Sequence, residues 1–162
     1  MPAFMKVGEI KGEGSDQDHK EWILIQSMSA PIHRSIPPGA KDQQRTKGET
    51  TLGDMALSRQ VDKSSPKLFL ACANGTFFKD VEVHLCTTVK NKQEPYLKYK
   101  LHDVIVSSYA ASGTSSGDPL PSESLTIGYS KIEYTYIVVD PKDGSKKGEV
   151  PASYDPSVGV GQ

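Results

Sequence analysis

The stretch that decides the fold is VEVHLCTT, residues 81–88, in which apolar and polar side chains alternate. Val81 and Val83 belong to one side of this stretch and Glu82 to the other, because successive side chains of an extended strand point to opposite faces. A second stretch with the same alternation covers residues 132–138. This period of two predicts strands that have one buried face.

Five further segments on either side have the composition of strands and are bounded by Gly, Pro, Asp or Ser. They are residues 4–11, 22–28, 52–61, 96–108 and 125–129. About seven strands with little helix predict antiparallel sheets, closed into a barrel or packed as a sandwich, because both architectures bury one face and limit bare edges.

One short helix is predicted between these strands. Asp62 and the serines after it offer an N-cap, Pro66 suits the first turn, and Asn74-Gly75 ends the helix. The apolar positions are Leu68, Phe69, Ala71 and Cys72. We expect a packing helix that covers an open end of the sheet.

Residues 29–50 are predicted to be an irregular loop of about twenty residues, which is longer than compact domains usually contain without a function. The loop is rich in proline and basic residues. Its cations are His33, Arg34, Lys41, Arg45 and Lys47.

The last segment, residues 141–162, is rich in Gly, Pro, Ser and Lys and has few large apolar residues. Such a composition predicts either a loose tail or a weakly docked strand. At 162 residues the chain therefore divides into one β-barrel domain, residues 1–140, and a C-terminal tail, residues 141–162.

The overall charge and hydropathy argue against several classes of protein. A formal net charge of -1 does not favour nucleic acid or an anionic membrane as a partner. The apolar runs are far shorter than the ~20 residues of a membrane helix, and no cleavable secretion signal is expected. The two cysteines, Cys72 and Cys86, are predicted to be free thiols in apolar surroundings rather than a disulfide.

No catalytic, metal or cofactor site is predicted, although two patterns are candidates. Gly113 to Gly117 matches the G-x-S-x-G nucleophile elbow with Ser115 at its centre, but Asp118-Pro119 follows and blocks the helix that the elbow needs. His84 and Cys86 share a strand face, yet zinc requires three or four converging ligands.

The other histidines and the tyrosines have ordinary structural explanations. The histidines His19, His33 and His102 are expected to be solvated or hydrogen-bonded. A cluster of tyrosines at one end of the barrel could form a ligand platform, although buried tyrosines with satisfied hydroxyls are commoner. Its members are Tyr129, Tyr134 and Tyr136.

Several segments of the chain resemble a known family, the haemolysin-coregulated proteins (Hcp). The opening FMKVGEIKGEG, residues 4–14, and DHKEWI, residues 18–23, are similar to the family's first two strands. A more specific match is VDKSSPKL, residues 61–68, leading into ACANG, residues 71–75. The resemblance extends from about residue 4 to residue 139, through YLKYKL at 96–101.

The resemblance implies an Hcp-like antiparallel β-barrel of two packed sheets with one short α-helix, and a structural protein rather than an enzyme. Members form the tube of bacterial type VI secretion systems: homo-hexameric rings stack inside a contractile sheath behind a spike protein. The implied location is the bacterial cytoplasm before firing, followed by secretion without a signal peptide. The implied partners include secreted effectors carried in the lumen, which Ser27 and Ser29 are expected to face.

Physical reasoning adds two expectations to this implied assembly. A closed ring needs a heterologous interface, in which one edge of each subunit meets the opposite edge of the next. We expect residues 29–50 to reach from one ring to the next, because their cations could pair with acidic groups there. The alternative function is a monomeric β-barrel that binds a small ligand among its aromatic side chains.

Overall fold

The computed structural model describes residues 1–41, 43, 48–113, 115–117 and 120–162, with the backbone alone described at Val160. Within this part of the chain the structure has twelve strands and one helix. The strands are β1 (Ala3–Val7), β2 (Ile23–Ile25), β3 (Ser27–Ser29), β4 (Ile32–Arg34), β5 (Thr50–Leu52), β6 (Met55–Gln60), β7 (Phe77–Val89), β8 (Lys92–Ser112), β9 (Ser122–Gly128), β10 (Lys131–Val139), β11 (Lys146–Asp155) and β12 (Val160–Gly161), and the helix is α1 (Ser65–Asn74).

Strand β8 joins the two halves of the main sheet, because it is long enough to pair with three neighbours. Its first half pairs with β7 and β10, and its second half pairs with β9. The sheet continues from β7 through β1 to β2, and from β9 through β6 to β3, with every pairing antiparallel. Gln26 connects β2 directly to β3, and its backbone N–H donates to the Ser58 carbonyl of β6 over 2.9 Å. The two ends of the sheet therefore meet at this residue. The predicted mainly β, antiparallel fold is confirmed.

The core lies between the two halves of this sheet and follows the predicted alternation. Val81 and Val83 of β7 are fully buried, whereas Glu82 and His84 lie on the outer side. Each buried aliphatic side chain of this size stabilises the fold by about 1.5–3 kcal/mol. The core draws on both halves of the sheet, and its fully buried members include Met5, Ile23, Met55, Val81, Val83, Leu101 and Val104.

Helix α1 begins and ends where the sequence predicts. Ser64 is the N-cap, Pro66 lies in the first turn, and Gly75 ends the helix with a left-handed φ of 62°. Leu68 and Ala71 are buried in the core, as expected from their positions. Phe69 was also predicted to be apolar packing, but 58% of it is exposed.

The prediction of an irregular loop over residues 29–50 is wrong at both ends of the segment. Strand β3 reaches Ser29, and strands β4 and β5 form a separate two-stranded antiparallel sheet. Three-residue strands are too short to display a period of two, which is why the sequence pattern did not indicate them. Prolines on either side of β4 further obscure the pattern.

The last segment contains the docked strand, one of the two structures that the composition had left open. Strand β11 pairs with β10 from Ile132 opposite Tyr154 to Val139 opposite Lys146. Strand β12 then returns along the end of β11. The division of the chain at residue 140 stays a prediction, and β11 pairs with β10 across it.

Candidate assembly surfaces

The outward face of β3, β6, β9 and the second half of β8 carries uncharged side chains, all of them short except that of Gln60. The backbone registers arrange them in three cross-strand rows. The rows are Ser27–Ser58–Ser124–Ala110, Ser29–Ala56–Thr126–Ser108 and Gln60–Ser122–Ser112. We call these eleven positions the serine face.

Hydrogen bonds between hydroxyls run across the serine face. Ser27 Oγ lies 2.5 Å from Ser58 Oγ, and Ser108 Oγ lies 2.7 Å from Thr126 Oγ1. The predicted lumen residues Ser27 and Ser29 are both exposed on this face. The result is a broad polar surface without charge at any of its eleven positions.

The outer side of the other half of the sheet has a different character. Along one row, Glu82 of β7 lies opposite Lys100 of β8, which lies opposite Glu133 of β10. In the adjacent row His102 contacts Asp80 at 2.8 Å and Glu133 at 2.6 Å. Alternating charges of this kind are typical of a solvated sheet face. The two outer faces of the barrel are therefore chemically distinct.

Strands β4 and β5 form a hairpin arm, residues 32–52, that is separate from the main sheet. Beyond the two strands, the Ser35 N–H donates to the Glu49 carbonyl and the Glu49 N–H donates to Ser35 Oγ, both over 2.9 Å. The predicted cations His33, Arg34 and Lys41 are exposed on the arm. Arg45 and Lys47 lie outside the described residues.

An apolar cleft of about 250 Å³ lies where the base of the arm meets the main sheet. Tyr99 and Tyr134 stack there with ring centroids 4.8 Å apart, and burial raises the pKa of Tyr99 to about 12. Of the predicted tyrosine cluster, Tyr129 and Tyr134 line the cleft. Tyr136 does not, and instead packs near Tyr96. Tyr99 and Tyr154 also line the cleft, and they were not predicted to do so because they lie on segments far apart in the sequence.

A buried ionic cluster lies behind the serine face, and sequence reasoning missed it entirely. Arg59 points inward from β6, next to Asp62 and with Nε 3.2 Å from Glu123 Oε1. Glu123 Oε2 accepts a hydrogen bond from the Tyr109 hydroxyl. Burial acts to raise the pKa of Asp62, but hydrogen bonds from Ser64 and Arg59 outweigh it and lower that pKa. The signal in the sequence was Arg59, which occupies a position of β6 where the alternation places a buried apolar side chain.

The histidines and cysteines that were candidates for a metal or catalytic site have structural roles. His19 is hydrogen-bonded to Asp16 and to His84, as a structural histidine would be. In the described part of the chain, no three His, Cys, Asp or Glu side chains are grouped to hold a metal ion. Cys72 and Cys86 are free thiols, and burial raises the pKa of Cys86 to about 12.

Ser115 lies on the connection between β8 and β9. Strand β9 follows it, whereas a nucleophile elbow is a turn from a strand into a helix. Thr114 of the motif, and Asp118 and Pro119 after it, lie outside the described residues. The described helix is not long and apolar enough to cross a membrane.

A family model described as the type VI secretion system effector Hcp matches residues 4–136. Among curated proteins, the chain is 28% identical to protein hcp1 of Pseudomonas aeruginosa over 145 residues, which covers 90% of this chain and 88% of that protein.

Solved structures of the same kind share the fold. One described as a type six secretion system protein matches with a TM-score of 0.90 at 24% identity, covering 99% of both chains. Hcp1 from Salmonella typhimurium matches with a TM-score of 0.77 at 24% identity, again over 99% of both chains. A type VI secretion system effector from Yersinia pestis matches with a TM-score of 0.72 at 25% identity, over 94% of this chain and 98% of that one.

Proposed function

The chain belongs to the Hcp family of type VI secretion system proteins, and from this we propose that it is a tube subunit whose serine face lines the channel of a six-membered ring. The observation that carries the proposal is the serine face itself, a wide uncharged surface on a sheet that has an open edge on each side. In this assignment the protein is a structural component without catalytic activity.

The two open edges supply the heterologous joint that a ring requires. On one side, β3 pairs with β6 and its other edge has no strand among the described residues. On the other side, residues 108–112 of β8 pair with β9, whereas β7 reaches only as far as Ile105. Pairing the first edge of one copy with the second edge of the next would continue the serine face around the channel.

Exposed apolar side chains beside both edges support this joint. Phe77 and Ile105 are cross-strand partners next to the β8 edge, and both are exposed, Phe77 by 61%. Leu24 and Ile32, on either side of β3 in the sequence, are also exposed. Burial of such side chains between subunits would stabilise the ring.

The arm is proposed to contact the next ring in the stack. It forms its own sheet, and it displays His33, Arg34 and Lys41 to solvent. These groups are suited to pair with carboxylates on a facing ring, and exposed pairs of this kind contribute at most about 1 kcal/mol each. Stacks held in this way would form and separate readily, as a tube that is expelled and dismantled requires.

Further partners and the location follow from the family. We propose that the stacked rings lie inside a contractile sheath behind a spike protein, carry effectors in the channel, and leave the cytoplasm without a signal peptide. The alternative of a monomeric ligand carrier is not favoured. Fully buried side chains such as Met5, Met55 and Leu101 form the core inside the barrel, so a small ligand would be limited to the tyrosine-lined cleft beside the arm.

The mass in solution tests the ring. Light scattering behind a sizing column should give about six times the chain mass of 17.6 kDa, and negative-stain images should show annular particles. Single chains at high protein concentration, without annular particles, would contradict the proposal.

A gold label tests which face lines the channel. In a Cys72→Ser background, Ser124→Cys places a thiol on the serine face, and Glu149→Cys places one on exposed strand β11. A maleimide-linked gold particle on the first variant should lie inside the annulus, and on the second it should lie outside. Gold from Ser124→Cys on the outer rim would show that the face is assigned to the wrong side.

A further inference from the structure

The connection between β1 and β2, residues 8–22, folds back over the outer side of the barrel and forms a flap. Within the flap, the Gly12 N–H donates to the Glu21 carbonyl, the Gly14 N–H to the Trp22 carbonyl and the Glu21 N–H to the Gly14 carbonyl, all over 2.8 Å. His19 is 1% exposed and stacks on Phe4 of β1, with ring centroids 4.4 Å apart. The flap is therefore attached to the barrel mainly through one buried aromatic side chain and its neighbours.

A chain of four polar groups connects the flap to β7. Asp16 Oδ2 accepts from His19 Nδ1 over 2.6 Å, and His19 Nε2 lies 3.0 Å from His84 Nδ1. On the far side, His84 Nε2 lies 3.6 Å from Glu82 Oε2. Two further side-chain contacts join the flap to the strands: Cys86 Sγ of β7 lies 3.9 Å from His19 Nε2, and the exposed Lys92 Nζ of β8 lies 3.2 Å from Asp18 Oδ2.

The number of protons on this chain is limited by its geometry. A hydrogen bond between two imidazoles needs one N–H and one lone pair, so at least one of the two rings must be neutral. The Nδ1 of His19 donates to Asp16, so a charged His19 must donate from Nε2 to a neutral His84. If both rings are imidazolium, two N–H groups face each other over 3.0 Å and the bond is lost.

The surroundings make the second positive charge unfavourable. Burial is the largest effect on His84, followed by the charges of Lys98, His19 and Lys146, and together they lower its pKa to about 4. Cys86, 3.9 Å from His19 Nε2, stays a neutral thiol. The charged and titratable groups around His84 are Glu82 and Cys86 on β7, Lys98, Tyr99 and Lys100 on β8, Glu133 on β10, Lys146 on β11, and Asp16 and His19 on the flap.

We propose that the His19–His84 hydrogen bond is an acid-sensitive latch, which holds the flap on the barrel while one ring is neutral and releases it when both rings are protonated. Release would uncover Phe4 and Trp22 and leave the sheet and its edges unchanged. The latch uses side chains within one subunit, so its operation does not depend on the proposed ring.

Trp22 allows a direct test, because it is the one tryptophan in the sequence and its ring lies 4.7 Å from that of His84. Imidazolium quenches indole fluorescence on contact, whereas a released indole becomes solvated. Emission should therefore change in a reversible step between pH 6.5 and pH 4, before global unfolding. Over the same range, the Gly14 and Glu21 amides should exchange roughly tenfold faster after correction for intrinsic rates.

His84→Gln is the decisive variant, since glutamine can occupy the hydrogen bond with His19 and cannot take up a proton. We expect the emission step to disappear in this variant and to persist in His33→Gln, whose histidine is exposed on the arm. NMR of the histidine side chains in the unmodified chain provides a second measurement. The His84 signals should shift over the same pH range as the change in Trp22 emission. An unchanged step in His84→Gln, or no step in the unmodified chain before it unfolds, would overturn the proposal.

Discussion

Arg59 of β6 and Glu123 of β9 are cross-strand partners that both point into the barrel, where the two residues are 1% and 2% exposed. Their Nε and Oε1 atoms are 3.2 Å apart, and Asp62 contacts the guanidinium at its Nη2 atom. The pair connects the strands of the serine face to the start of helix α1, because Arg59 also donates to Ser64 Oγ over 2.7 Å.

Arg59→Met should be strongly destabilising, because it leaves two carboxylates without their cation in the protein interior. We expect the free energy of unfolding to fall by about 3–5 kcal/mol, measured by urea denaturation. The double variant Arg59→Met, Glu123→Leu should recover part of this loss, since it removes one of the stranded charges. A single variant that is as stable as the parent would show that the cluster is not held together by its charges.

Gly75 should be more sensitive to substitution than its open surroundings indicate. A Cβ atom there would meet nothing within 4 Å, but the residue has φ of 62°, which other side chains rarely adopt. Gly75→Ala should therefore cost about 1 kcal/mol, and Gly75→Asn less. Gly148→Ala is the matched control, with equal space and no positive φ, and it should leave the melting temperature nearly unchanged. Equal effects of the two alanine variants would contradict this explanation.

The sequence predicted the parts of the fold that depend on local pattern. The alternation around Val81, the proline at position 66 and the glycine at position 75 each act on neighbouring residues, so the strands and the helix could be located from them. The arm was missed because its three-residue strands show no periodicity.

The parts of the site that depend on register could not be predicted. The serine face requires Ser58 and Ser124 to lie opposite each other, although they are far apart in the sequence. The same is true of Tyr99 and Tyr134 in the cleft. Ser27 and Ser29 lie on this face, and their expected position in a lumen stays a prediction.

The stability of the fold should decrease in mild acid through His84. Its pKa is lowered to about 4 in the folded state from 6.5, so the unfolded chain binds more protons between these two values. The free energy of unfolding should consequently fall as the pH is lowered from 6.5 to 4. We expect a loss of about 1 to 3 kcal/mol, where the lower part of the range allows for solvent screening of a partly exposed ring.

His84→Gln should reduce the slope of unfolding free energy against pH in this window, measured by urea denaturation at each pH. Asp16 adds a further loss at lower pH. Burial acts to raise its pKa, but the hydrogen bonds from His19 and from the Asp18 backbone together outweigh this and lower it, so the stabilisation is lost as the pH falls through that lowered value. An identical slope in the parent and in His84→Gln would exclude the histidine as its cause.

The arm can be shortened without disturbing its base. The strands β4 and β5 and the Ser35–Glu49 hydrogen bonds close the hairpin, so residues 36–48 can be replaced by an Asn-Gly turn. We expect the shortened protein to form annular particles and to lose the ability to form longer stacks in electron micrographs. His33→Gln with Lys41→Gln, in the full-length arm, should weaken stacking in low salt and have little effect in high salt. Tubes formed by the shortened protein would assign stacking to another surface.

The joint between subunits can be broken by one charge beside the β8 edge. Phe77→Asp places a carboxylate where the proposed neighbour covers an apolar side chain, and the parent residue is 61% exposed, so the single chain should fold normally. We expect the mass from light scattering to fall from that of the ring to that of one chain, with an unchanged far-UV circular dichroism spectrum.

Val158→Asp is the control, because Val158 is similarly exposed in the turn before β12, away from both edges. It should leave the ring intact. Rings of unchanged mass in Phe77→Asp would exclude this edge as the joint, whereas loss of the ring in both variants would mean that added negative charge alone separates the subunits.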